Sequence, residues 1–273
     1  NDLNLARQSI GSAGNQTSSL GFGGALVPGV TKSATNESWN GTSWTEVGDL
    51  NTARDGVGGA GADNTSALAF GGNLPGSTAI TESWNGTSWT EVNDLNTARY
   101  SGSGTGIQTA ALYAGGVAPP SPNGFALTEL YNGTSWTEVN DLNNARQTVG
   151  GGTSTSSIVF GGNSGPVQKA LTESWDGASW TEVADLSTAR EQLGGTGANN
   201  TAALAFGGGG ASISASTEEW LGPGQPIGAW STGGNLNTAR EQLAGAGTQT
   251  EGLATGGYTG SETGVTELYN GTN

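Results

Sequence analysis

Apolar side chains in this chain recur in pairs two residues apart: Leu68 and Phe70, Ile158 and Phe160, Leu204 and Phe206. An interval of two puts both side chains on one face of an extended chain, so each pair predicts a β-strand with a packed face. Each strand runs into a glycine doublet, at Gly71-Gly72, Gly161-Gly162 and Gly207-Gly208. Upstream lies a segment that is apolar at one position and small afterwards. Three residues past an arginine stand Ile10, Val57, Val149, Leu193 and Leu243, with Gly102 as the exception, and small residues follow, as in Gly58-Gly59-Ala60-Gly61. Glycine weakens a strand but permits close backbone approach. This segment is therefore expected to form the innermost strand around a crowded axis.

The same order returns six times. The block Asp2-Leu3-Asn4-Leu5-Ala6-Arg7 recurs with arginines at Arg54, Arg99, Arg146, Arg190 and Arg240, spaced by 47, 45, 47, 44 and 50 residues. Each doublet is followed by a Thr/Asn-Glu segment ending on an aromatic: Trp39, Trp84, Tyr131, Trp175, Trp220 or Tyr269. Five repeats then carry a second tryptophan, at Trp44, Trp89, Trp136, Trp180 and Trp230. Between the two aromatics stands Asn40-Gly41, Asn85-Gly86, Asn132-Gly133 or Asp176-Gly177, which predicts a two-residue type I′ hairpin with the tryptophans as diagonal neighbours on one face. The eight prolines all fall in expected loops, Pro223 and Pro226 in an enlarged hairpin of the fifth repeat.

Four short strands in about 45 residues is the content of one propeller blade. The expected fold is all-β, a six-bladed β-propeller of four-stranded antiparallel blades, forming one domain over 1–273. The sixth repeat stops at Asn270-Gly271-Thr272-Asn273, where its outer strand would begin, and Asn1-Asp2-Leu3-Asn4 matches Asn93-Asp94-Leu95-Asn96, which follows such a strand. The sixth blade is thus expected to be incomplete or closed by both termini, the two ends lying side by side.

Composition narrows the function. There is no histidine and no cysteine, so imidazole bases, thiolate nucleophiles and zinc–thiolate sites are excluded, and no cofactor is expected. The formal charge of −15 disfavours nucleic acid and anionic membranes as partners. No apolar run reaches the length of a transmembrane span, so no membrane insertion is expected.

The succession of an arginine, a Gly-Gly, an aromatic and a tryptophan resembles the kelch repeat over essentially the whole chain. The hairpin Asn40-Gly41-Thr42-Ser43-Trp44-Thr45-Glu46-Val47 is similar to kelch-like repeats in virion-associated proteins of marine phages and in environmental bacterial sequences. These resemblances imply the propeller fold and a partner-binding surface in an extracellular or virion-surface setting. One kelch family is a copper radical oxidase, but its site needs histidine and cysteine, which are missing here. Gly41-Thr42-Ser43-Trp44 also resembles the end of a sialidase Asp-box, with Trp39 in place of the turn aspartate. Sialidases further need an arginine triad, which six symmetric arginines do not supply.

The expected function is that of a non-catalytic module, not an enzyme, recognising a glycan or protein through its loop face, with other virion or surface proteins as further partners. The rival readings are a purely structural decoration or assembly protein and a sialidase-like carbohydrate-active enzyme. Candidate ligand contacts are Arg7, Arg54, Arg99, Arg146, Arg190 and Arg240, expected to ring one channel mouth, with Tyr100, Phe125, Tyr258, Lys32 and Lys169 from the irregular positions around it. The arginines have a structural reading as well: an ion pair with Asp2, Asp49, Asp94, Asp141, Asp185 or a glutamate of an adjacent blade.

Overall fold

A computed structural model describes residues 1–26, 31–121, 123–210, 212–222 and 228–272. Pro28, Pro122, Pro223 and Pro226 lie outside the described residues. The chain is all β and forms a six-bladed propeller. The inner strands are Gly11–Asn15, Gly58–Asp63, Ser103–Ile107, Gln147–Thr153, Gly194–Asn199 and Ala244–Gly247. Each packs against the next, and Ala244–Gly247 against Gly11–Asn15 closes the ring. Numbered from the N-terminus, blade 2 is typical: Gly58–Asp63, Ser66–Phe70, Thr81–Trp84 and Trp89–Val92 pair antiparallel in sequence order.

The small residues of the inner strands have the predicted cause. A Cβ on Gly59 would lie 2.1 Å from the carbonyl oxygen of Ser12 in the neighbouring blade, so backbone packs directly on backbone. The apolar pairs of the second strands are buried between blades, where Leu68 and Phe70 share a cluster with Ala111, Tyr113, Tyr131 and Trp136 of the next blade.

The hairpin between third and outer strands differs from the expected two-residue turn. Trp39 stands directly opposite Trp44, and Asn40 to Ser43 form a four-residue loop. Asn40 Oδ1 accepts the N–H groups of Thr42 and Ser43, both at 2.9 Å, and Gly41 alone in the loop takes a positive φ, 90°. The asparagine carboxamide thus replaces a backbone turn, and direct opposition brings the two indoles to a centroid distance of 5.3 Å. Equivalent aromatic pairs in blades 2 to 5 lie at 5.1–5.5 Å.

Blade 6 has three strands among the described residues, Ala244–Gly247, Gly252–Thr255 and Thr266–Tyr269. Both ends of the chain meet there. Leu3 N–H donates to Gly264 O at 2.8 Å, and Thr266 N–H donates to Asp2 Oδ1 at 3.0 Å. Leu3 also joins Ile10, Trp39, Trp44, Ala244 and Leu253 in one buried cluster across the seam. Among the described residues, no helix is long and apolar enough to cross a membrane.

Candidate functional site at the channel mouth

The arginines fall elsewhere than at the mouth. Arg7, Arg54, Arg99, Arg146 and Arg240 are 0% exposed and Arg190 3%, each turned into its own blade. Their partners are glutamates of the third strand of that same blade: Glu37, Glu82, Glu129, Glu173, Glu218 and Glu267. The repeated aspartates and the glutamates of adjacent blades are therefore not the counter-ions. The aspartates cap instead, as where Asp94 Oδ1 accepts Thr81 N–H at 2.9 Å.

Each glutamate is clamped from both sides. In blade 2, Arg54 holds Oε1, while the backbone and side-chain N–H groups of Asn51 each reach Oε2 at 2.7 Å. The Leu-Asn-x-Ala-Arg block is thus a carboxylate clamp that ties the entry loop of a blade to its third strand. Burial pulls the guanidinium pKa of Arg7, Arg190 and Arg240 downward, against the upward pull of the paired glutamates. Arg99 also lies 4.5 Å from the centroid of the buried Tyr113 ring.

What lines the mouth comes directly after each arginine. Gln8, Asp55, Tyr100, Glu191 and Glu241 bridge to the loop that follows the glycine doublet of their blade, and Gln147 pairs with Asn163 in the same place. One residue further on, a ring of backbone hydrogen bonds runs from blade to blade. Ser9 N–H donates to Gln242 O at 2.9 Å, Gly56 to Ser9 at 2.9 Å, Ser101 to Gly56 at 2.9 Å, Thr148 to Ser101 at 3.3 Å, and Gln242 to Gln192 at 2.7 Å. Ser9, Ser101, Gln192, Gln242 and Gly56 reach this arrangement with φ of 53–61°. Among the described residues, no such bond joins Gln192 to Thr148. A β-branched residue does not take a positive φ comfortably, and at Thr148 the inner strand bulges between Gln147 and Val149. Behind the mouth lies a channel of about 390 Å³, walled largely by glycine, alanine, serine and threonine.

The other candidates are dispersed around this face. Lys32 of blade 1 reaches across to Asp55 of blade 2 at 2.7 Å. Lys169 is part-buried and fixed through its backbone to Gly162 and Arg190. Tyr100, Phe125 and Tyr258 are each part-exposed, on blades 3, 3 and 6, and make no ring contact with one another. Sequence reasoning left Gln8, Asp55 and Gln242 out of the candidate set, yet at the mouth Gln8 Oε1, Asp55 Oδ1 and Gln242 Oε1 are buried acceptors without a hydrogen-bond partner. They occupy three successive blades, 6, 1 and 2. Nearby, burial and the charge of Glu191 raise the pKa of Glu241.

A six-bladed β-propeller with saturated ion pairs inside its blades and unmet acceptors at its mouth is the class these features define. No family model matches the chain, and no curated protein matches it. Among solved structures it is similar to that of YjhT, with a TM-score of 0.79 over 98% of this chain and 95% of the other at 13% identity. At that identity the likeness concerns the fold.

Proposed function

We propose that this propeller is a non-catalytic recognition module whose mouth binds a hydroxyl-rich ligand, a glycan before a protein. The observation that carries this reading is the row of unpartnered acceptors on Gln8, Asp55 and Gln242. A buried polar atom without a partner costs about 1–3 kcal/mol, and sugar hydroxyls are donors of the right kind to meet it. Tyr100 and Tyr258, part-exposed on the same face, offer apolar surface for the face of a sugar ring. The absence of histidine and cysteine supports a binding role over a hydrolytic one. The surface or virion setting rests on the resemblance of the repeat to kelch-like virion sequences.

A glycan array probed with the purified chain tests the reading. Hits that disappear in Gln8→Leu and Gln242→Leu proteins with unchanged melting temperatures are the expected result. A blank array, or hits indifferent to both substitutions, would remove the mouth from consideration.

A further inference from the structure

Outer-strand tryptophans obey a rule that one blade leaves unfulfilled. The indole of an outer strand reaches across the seam to the preceding blade, where its N–H donates to a threonine hydroxyl. Trp44 donates to Thr266 at 3.0 Å, and Trp136, Trp180 and Trp230 donate to Thr81, Thr128 and Thr172 at 3.1 Å. At the equivalent place in blade 1 stands Asn36, and Trp89 Nε1 has no partner. Where the preceding blade offers a phenylalanine, the indole meets it edge-on: Trp89 on Phe22 at 5.2 Å, Trp136 on Phe70 at 4.9 Å, Trp230 on Phe160 at 4.9 Å.

The place this rule assigns to blade 6 lies against blade 5, among Phe206, Thr217 and Tyr269. A cleft is found there, lined by these three residues with Leu236, Leu253 and Ala254. Thr217 is the counterpart of Thr81, Thr128, Thr172 and Thr266, and among the described residues no indole donates to it. Beside the cleft, Thr266–Tyr269 pairs on one side only, with Gly252–Thr255. Glu267 shows the missing cover: its side chain is 13% exposed, whereas the other five clamped glutamates are at most 6%.

We propose that this edge and cleft form a receptor for an extended segment of another polypeptide bearing the sequence Trp-Thr-Glu-Val. The segment adds antiparallel to Thr266–Tyr269 by main-chain pairing, the mode known as β-augmentation. In the register of Trp84 opposite Trp89 and Thr81 opposite Val92, its tryptophan stands opposite Tyr269 and its valine opposite Thr266. The indole N–H then donates to the Thr217 hydroxyl, and the ring edge meets Phe206. A second copy of this chain is a poor donor, because its own tryptophan-bearing outer strands are all paired within their blades. Asp2 caps Thr266 as Asp94 caps Thr81, so the bound segment ends beside Asn1.

The test uses the full chain and an N-terminally labelled Gly-Thr-Ser-Trp-Thr-Glu-Val peptide, read by fluorescence anisotropy. Saturable binding is expected, weakened about tenfold when the peptide tryptophan is replaced by alanine, and weakened again for a Thr217→Val protein that melts normally. Joining Ser-Trp-Thr-Glu-Val ahead of Asn1 should abolish peptide binding and raise the melting temperature. Equal binding of tryptophan and alanine peptides, no binding of either, or a concentration-dependent dimer that shuts the peptide out would each overturn the proposal.

Discussion

The interior of the blades and the loop face are built from the same repeats on opposite principles. Inside, Arg99 and Glu129 are each closed off by protein: Glu129 receives Arg99 and both donors of Asn96, and Arg99 also donates to Thr97, Tyr113 and Gly115 carbonyls. At the mouth the equivalent positions hold Gln8, Asp55, Tyr100, Gln147, Glu191 and Glu241, six places with four residue types and acceptors left over. The lesson is that a repeated charge in this propeller serves the blade, and that the surface for an outside ligand begins one residue later. A substitution in the interior should therefore be read in stability, and one at the mouth in binding.

The sharpest way to break that division is Arg99→Ala. It leaves Glu129 ionised and buried without its counter-ion, and should cost about 3–5 kcal/mol, measured by chemical denaturation, while glycan signals at the mouth remain for the folded fraction. A loss of binding with intact stability would return the arginines to the surface chemistry. Gly41→Val should cost about 1 kcal/mol or more, because a β-branched residue resists the φ of 90° in the hairpin loop. Equal unfolding midpoints for the two proteins would dispose of the loop conformation described.

A pH experiment probes the incomplete blade. Burial, with a hydrogen bond to Glu219, pushes the Tyr269 hydroxyl up to about 12, against about 10 for an ordinary tyrosine. The folded state holds this proton more tightly, so the contribution is full below pH ~10 and is lost as pH rises toward ~12. Tyr269→Phe should lose less stability than the parent between those limits, and parallel curves would show that Tyr269 is not the group responsible. Smallest of all should be the stability effects of Tyr100→Ala and Lys169→Ala, within about 0.5 kcal/mol. A thermal shift series alongside the array would show whether they alter binding alone.

Much of the fold is legible because the signals are local and repeated. The two-residue apolar interval of Leu68 and Phe70, and the small residues after Val57, place strands and order them from the axis without any long-range information. The hairpin register was less legible, since Asn40-Gly41 serves both a two-residue turn and a four-residue loop. The deciding interaction, Asn40 Oδ1 on two amides, is visible only in three dimensions. The arginine partners were hidden by distance along the chain: Arg7 and Glu37 are separated by 30 residues and meet only once the blade has folded. The aspartates beside the arginines were the nearer, and mistaken, choice. The mouth acceptors carry no motif at all. Their one trace in the sequence is that the second residue after each arginine is Ser9, Gly56, Ser101, Gln192 or Gln242, and Thr148 in the fourth repeat.

That lone threonine gives the ring a mechanical character. Five links of backbone hydrogen bond run around the mouth like a hoop with one joint left unfastened, between Thr148 and Gln192. Tension spread over the other seams has its outlet there, so thermal breathing of the barrel mouth should begin between blades 4 and 5. The amide of Gln192 should then exchange with solvent ahead of those of Ser9, Gly56 and Ser101, and the propeller should part at that seam before any other.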